Sequence, residues 1–216
     1  AMLRRYVSTP MVLVDRTIDG LDLDYVGLDN DKAASLAVEH ILSYGHSRIG
    51  IIAGHQKLSS GRERYSSIKT NLLRHGIRIV EECLVFCDFR AEEAYEAARS
   101  VMQSDHPPTA LFVANNLMLI GVMRALADLG LSCPDDVSVV SVDDFPWASA
   151  FRPRPTVIEQ PVAEIARDCV NLLLRRISGG SDITRQVILH QPKLILRDSL
   201  SAPRETDVRL TSGRVR

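Results

Sequence analysis

The chain has 216 residues, 45% of them hydrophobic and 25% charged, with a formal net charge of −1. That length holds one good-sized core, or one complete lobe with parts of a second. The near-zero charge gives no overall footprint for nucleic acid or an anionic membrane, and no run approaches the roughly 18 apolar residues of a membrane span.

The first 29 residues offer only short extended pieces, 11–14 and 25–28, with no strand–helix–strand repeat of their own. Asn30 is placed to cap a helix with Ala34, Val38, Ile41 and Leu42 on its apolar stripe, ended by Gly45. The wholly apolar run Ile49–Ala53 predicts a strand covered on both faces. A second helix follows, with Tyr65, Ile68, Leu72 and Leu73 on one face and Gly76 after it. Residues 84–86 predict a strand, Ala94, Ala97, Ala98, Val101 and Met102 mark a helix, and Pro107-Pro108 blocks its continuation. The cycle repeats as strand 110–114, helix 117–129 closed by Gly130, and strand 137–142. Strands alternating with helices imply parallel crossovers, hence an α/β fold with a doubly wound parallel sheet. Beyond Phe151 come a Pro-rich crossing, a helix carrying Val162, Ile165, Ala166, Cys169, Val170 and Leu173, and strand-like runs at 186–190 and 193–196. From Ser199 the chain is polar without apolar periodicity, which predicts a disordered tail over 199–216. Isolated extended pieces at both ends of a complete lobe need a sheet to join, an inventory that suggests truncation.

The four cysteines, Cys83, Cys87, Cys133 and Cys169, are too sparse for a secreted disulfide framework. Cys83 and Cys87 have a spacing seen in some metal sites, yet no second Cys or His pair lies nearby in sequence. Reduced buried thiols, no metal, and a reducing compartment are the expectation. Neither a G-x-G-x-x-G nor a G-x-x-x-x-G-K-[ST] loop occurs, and no nucleophile elbow or zinc-protease His-Glu pair. Asp143 and Asp144 could be an acidic catalytic pair, but neighbouring strand residues point to opposite faces. His55 follows the Ile49–Ala53 strand without an orienting partner in sequence, which reads as a loop contact more than a base. No catalytic residue and no cofactor are expected.

What remains is a set of polar and aromatic groups at successive strand ends. Asp15 follows the first run, Ser60, Gly61 and Arg64 follow Ile49–Ala53, and Asp88 and Phe89 follow 84–86. Asn115 follows 110–114 and Asp143 follows 137–142. In a parallel sheet these ends converge on one edge, where open α/β sheets bind ligands. Carboxylates and a guanidinium suit paired hydroxyls, and a ring can cover an apolar face, so a polyhydroxylated ligand fits. Ser60 and Asn115 read equally well as helix caps, whereas Arg64, inside its helix, does not.

Several ordered stretches carry a family resemblance: Pro10 through Arg16, Val26-Gly27-Leu28-Asp29-Asn30, Gly45-His46-Ser47-Arg48-Ile49-Gly50, and Ser60 through Arg64. Pro108 through Asn115, Leu129 through Val140, Val142 through Phe145 and Pro155 through Pro161 continue it. Over about residues 10–198 the chain resembles the effector-binding region of LacI/GalR-type transcriptional regulators. That resemblance implies a two-lobed, periplasmic-binding-protein-like core of type I, here one complete lobe plus fragments of a second. Residues 1–29 would be a remnant of the N-terminal lobe, 30–160 the C-terminal lobe, 161–185 a crossover helix of the N-terminal lobe, and 186–198 returning strands. By matching position Asp15, Ser60, Arg64, Phe89, Asn115, Asp143 and Gln160 would line the cleft and bind a small effector, a sugar, nucleoside or related metabolite. Met118, Val122 and Phe151, with Trp147 nearby, would fall at a homodimer interface, core packing being the competing reading for each. Operator DNA would be bound through a helix-turn-helix head, which nothing in this chain matches, so the chain alone is not expected to bind an operator. The implied place is the cytoplasm. The alternative is a periplasmic solute receptor of the same fold. Departures from the family pattern are Asn116 for an acidic residue, Ser141 for glycine, His55 for proline, and Leu58, which argues against a strongly anionic ligand beside it.

Overall fold

The computed structural model describes residues 9–179 and 184–204. Its strands divide between two sheets. β1 (Val12–Val14), β2 (Asp24–Leu28) and a later strand, β8 (Val187–His190), form a parallel three-stranded sheet in the order β1-β2-β8. The second sheet contains β3 (Ile49–Ala53), β4 (Leu84–Phe86), β5 (Ala110–Val113), β6 (Ser138–Val142), β7 (Thr156–Glu159) and β9 (Lys193–Ile195). Its order is β4-β3-β5-β6-β7-β9, parallel except for β9, which runs against β7. The periplasmic-binding-protein-like, doubly wound arrangement expected from the sequence is the one observed.

The pattern of burial explains why these runs are strands. Every residue of β3, β5 and β6 is buried, as a parallel strand covered on both faces requires. α1 (Asn30–Ser43) packs on α2 (Ser59–Arg74), and α3 (Ala91–Met102) on α4 (Asn116–Asp128). From β3 the chain moves one way to β4, then back past β3 to β5, β6 and β7. With right-handed crossovers that reversal sends α2 to one face and α3 and α4 to the other. The switch point therefore lies between β3 and β5, and the α2 and α4 N-termini flank it. Gly45, Gly76 and Gly130 stand at positive φ just past α1, α2 and α4, where the left-handed turn that ends a helix favours glycine.

The three-stranded sheet is covered by α5 (Val162–Gly179), and among the described residues Val26, Ile165 and Leu172 form the buried apolar cluster between them. Among the described residues the chain passes between the sheets three times: from β2 into α1, from β7 into α5, and from β8 into β9. The runs read together from sequence as returning strands thus separate, one into each sheet. Bonds between the crossings hold them in register: the Asp29 amide donates to the His190 carbonyl at 2.9 Å, and Gln191 Nε2 to Asp29 at 3.2 Å.

Three expectations need correction. The cap of α1 is Asp29, whose carboxylate accepts from the Lys32 amide at 2.9 Å, and Asn30 is the first helical residue. Residues 199–204 are not a disordered tail: Ser199 and Leu200 are buried against the second sheet. The Ser199 hydroxyl donates to the Val139 carbonyl at 2.6 Å and accepts from the Thr156 amide at 2.8 Å, while His46 Nε2 meets the Ser201 carbonyl at 2.9 Å. Residues 205–216 lie outside the described residues. Met118 and Val122 belong to the core of the second sheet with no exposed surface, so they cannot meet a second copy. Leu117, 52% exposed, and Trp147, 50% exposed, are the apolar groups that face outward there, and Phe151 is half-buried against Phe145 and Trp147.

Ser199→Ala leaves a buried amide and a buried carbonyl without their side-chain partner. It should lower stability by about 1–3 kcal/mol, read as a shifted urea midpoint with an unchanged m-value. An unchanged midpoint would show that the 199–204 segment does not brace the sheet.

Candidate functional site

At the carboxyl edge of both sheets, the backbone turns abruptly. Asp15, Phe89 and Asp143 have φ of 59°, 58° and 72°. A non-glycine residue in the left-handed region is strained, and such strain persists where the surroundings fix it, often at ligand sites. Asp15 leaves β1 with its amide still bonded to the Val26 carbonyl at 3.1 Å, and Asp143 leaves β6 with its amide on the Ile158 carbonyl at 2.9 Å. Each carboxylate thus projects from a fixed strand end.

Between the two sits Arg64, in the second turn of α2 and only 5% exposed. Its Nε donates to Asn30 Oδ1 at 3.3 Å and its Nη1 to the Ala114 carbonyl at 2.7 Å. Nη2 stands 3.6 Å from Asp15 Oδ1, and Nη1 3.6 Å from Asp143 Oδ2. Asp143 also accepts from Gln160 Nε2, at the crossing from β7 to α5. One guanidinium therefore links a strand end of the first sheet, two of the second, and, through Asn30 and Gln160, two of the three crossings.

The remaining residues read from sequence are placed differently. Asn115 caps α4, its carboxamide oxygen accepting from the Met118 amide at 2.9 Å. Ser60 is buried in the first turn of α2 and does not cap it; the residue before the helix is Leu58, without a side-chain cap bond. Phe89 lies on Gly54, where an added Cβ would come 2.0 Å from the ring, and the Arg16 guanidinium sits 5.8 Å from the ring centre. Asp15, Arg64, Asp143 and Gln160 thus form one network, Phe89 borders it through Arg16, and Ser60 makes no hydrogen bond to it.

Sequence reasoning missed three members. Asn30 Nδ2 donates to Glu63 Oε2 at 2.8 Å, so a Glu63–Asn30–Arg64 chain fixes the guanidinium plane. Tyr25, buried in β2, folds over Gly27 and donates to the Asp15 carbonyl at 3.4 Å. Burial pushes its phenol up to about 12, helped by the negative charges of Glu63 and Asp15. The signal for Tyr25 was the glycine two residues on, which alone leaves room for the ring. The loop after β1 also grips α2: the Thr17 amide donates to Ser59 Oγ at 2.7 Å and Arg62 pairs with Asp19 at 3.2 Å.

Asp143 and Asp144 diverge at the turn that follows β6, the first toward Arg64 and Gln160 and the second toward Arg197. Asp144 is held by both Nη atoms of Arg197, at 2.9 and 2.7 Å, and that bond keeps its carboxyl below the usual range against the opposing effect of burial. A cavity of about 780 Å³ opens beside Asp143 and Gln160, bordered by Phe145, Glu164 and Lys193. His55 does have a partner: Nδ1 accepts from the Lys57 amide at 2.9 Å, and Nε2 faces Asp88 at 3.3 Å. Burial pushes the thiols of Cys87 to about 11 and Cys133 to about 12, which suits packing and not nucleophilic chemistry. The arrangement is a hydrogen-bonding surface of carboxylates, carboxamides and one guanidinium, walled by an aromatic ring.

Residues 38–200 match the periplasmic binding protein-like domain family. The chain is 28% identical over 201 residues to the HTH-type transcriptional repressor PurR of Pasteurella multocida, 93% of this chain and 60% of that protein. It therefore spans about 60% of the length of the curated relatives it matches. A putative LacI transcriptional regulator from Bacillus cereus subsp. cytotoxis superimposes with a TM-score of 0.86 at 26% identity, over 93% of this chain and 71% of that one. A complex of the transcriptional regulator CelR with cellobiose superimposes with a TM-score of 0.81 at 29% identity, over 87% and 58%. No helix among the described residues is long and apolar enough to cross a membrane. The chain belongs to the periplasmic binding protein-like domain family, and it is similar in sequence and fold to the effector-binding region of LacI-type regulators.

Proposed function

We propose that this chain senses a small hydroxylated metabolite for a cytoplasmic transcription regulator, and that operator DNA is bound by a helix-turn-helix head outside this sequence. The observation that carries the reading is the Arg64 network. It joins the ligand-facing edges of two sheets through residues at the chain crossings, so occupancy between the sheets changes their relative position. A ligand that binds the closed arrangement better than the open one shifts that equilibrium by its differential affinity, and the shift is what a DNA-binding head can read. The partnered carboxylates and high-lying thiols support a binding role over an enzymatic one. A homodimer is part of the proposal, with the outward-facing Leu117 and Trp147 region as its contact in place of Met118 and Val122.

Calorimetry of the full-length gene product with a metabolite panel should find one tight effector that alters operator affinity. Asp143→Ala should weaken that effector by about 2 kcal/mol, the loss of a charge-assisted hydrogen bond. Equal affinity in wild type and variant would remove Asp143 from the site, and an operator affinity indifferent to every bound metabolite would sink the regulator reading.

A further inference from the structure

The chemistry of the Arg64 network limits what can occupy it. We infer that the site selects an uncharged ligand that donates hydrogen bonds, and that it discriminates against carboxylate- or phosphate-bearing analogues of the same ligand. The inference rests on the effector reading above and narrows it.

A guanidinium recruits an anion when its N–H groups are free to fork onto it. Arg64 is only partly in that state: Nε and Nη1 already donate to Asn30 Oδ1 and the Ala114 carbonyl, Asp15 and Asp143 stand 3.6 Å from Nη2 and Nη1 on the open side, and little of the side chain is exposed. An incoming carboxylate would have to displace an aspartate to reach it, leaving that aspartate unpaired beside the new charge. The charge balance points the same way. Three carboxylates, Asp15, Glu63 and Asp143, stand against two guanidiniums, Arg16 and Arg64. Arg16, the more exposed cation, already lies 3.5 Å from Asp15 and over the Phe89 ring. Asp88 adds a further acid at the far rim, beside His55.

The free hydrogen-bonding capacity that faces outward from the two strand ends is of the accepting kind. Asp15 is half-exposed and Asp143 partly so, each carboxylate having lone pairs beyond its Arg64 contact. Hydroxyl or amino hydrogens of a neutral ligand complete those lone pairs, whereas a carboxylate or phosphate brings only acceptors and like charge.

The test uses matched pairs that differ in charge, titrated into the full-length gene product at moderate salt: glucose against glucuronate, galactose against galacturonate, adenosine against adenosine 5′-monophosphate. In the pair that binds, the neutral member should be tighter by about tenfold or more, as like-charge juxtaposition across a desolvated contact requires. Asp15→Asn and Asp143→Asn, each checked for a native melting transition, should bring that ratio toward one by removing the repelling charge. An anionic member that binds as tightly as its neutral partner overturns the selectivity while leaving the effector reading intact. So does a ratio unchanged in both variants. Absence of binding by every member, with operator affinity unmoved, overturns the effector reading and this inference together.

Discussion

Arg64→Ala is expected to reduce effector affinity by more than about 100-fold and to destabilise the protein by about 3 kcal/mol, the cost of removing one partner from a buried charge cluster. The affinity loss follows from geometry: without the guanidinium, Asp15 and Asp143 repel one another across the cleft and Asn30 loses the group it orients. The stability loss follows from the partly buried Asp143 and the buried Ala114 carbonyl, which give up their partner in a place water reaches poorly. Arg64→Lys should recover little of either, because one ammonium cannot span an amide oxygen, a carbonyl and two carboxylates with the planar fork they require. Arg62→Ala is the internal control. That side chain is 41% exposed and pairs with a largely exposed Asp19, so its removal should cost under about 1 kcal/mol. Chemical denaturation and calorimetry on the three variants separate these outcomes. Wild-type affinity in Arg64→Ala would show that the ligand binds elsewhere.

The contrast between Arg64 and its neighbours shows where sequence reasoning reaches and where it stops. Strand–helix alternation made the fold legible, because buried parallel strands and amphipathic helices have different apolar periods. It also made the strand ends legible, hence Asp15, Arg64 and Asp143. Asn30 and Asp29 are both good caps, and only the fold decides which one caps α1 and which faces Glu63 and Arg64. α4 is apolar nearly all round, so periodicity could not tell Met118, turned inward, from Leu117, turned outward. Residues 199–204 carry no apolar period: a single buried leucine, Leu200, and hydrogen bonds through hydroxyls, carbonyls and His46 hold them to the sheet, a mode of anchoring that periodicity does not record. Tyr25 was hidden for the opposite reason: in sequence it is an ordinary strand residue, and its role depends on the bare backbone at Gly27.

The first sheet sets the second large expected effect, since its buried apolar centre is small and a charge pair does much of the joining. Asp24, at the start of β2, has a nearly inaccessible side chain and takes Arg176 of α5 in a two-point contact, 2.6 Å from Nε and 2.7 Å from Nη2. It also accepts the Gln186 amide at 2.8 Å, so one carboxylate ties β2, α5 and the approach to β8 together. Asp24→Asn keeps the shape but loses the charge and one bifurcated acceptor. It should destabilise the protein by about 3 kcal/mol at neutral pH, because the partly buried Arg176 loses its counter-charge at a contact whose carboxylate side is closed to water. The bond from Arg176 holds the Asp24 carboxyl below its ordinary value, with burial working against it. A carboxyl depressed in the folded state stabilises the fold above its unfolded pKa of about 4, and loses that contribution as pH falls through the folded value. Wild type and Asp24→Asn should therefore differ most above about pH 5 and converge in strong acid, which urea melts across that range measure directly. A gap that stays constant down to acid would mean that shape, not charge, joins α5 to the sheet. Asp15 and Tyr25 are mounted on β1 and β2, so the same substitution should weaken effector binding without touching the cleft. That coupling follows from a lobe whose small apolar centre leaves the position of its strand ends to one ion pair.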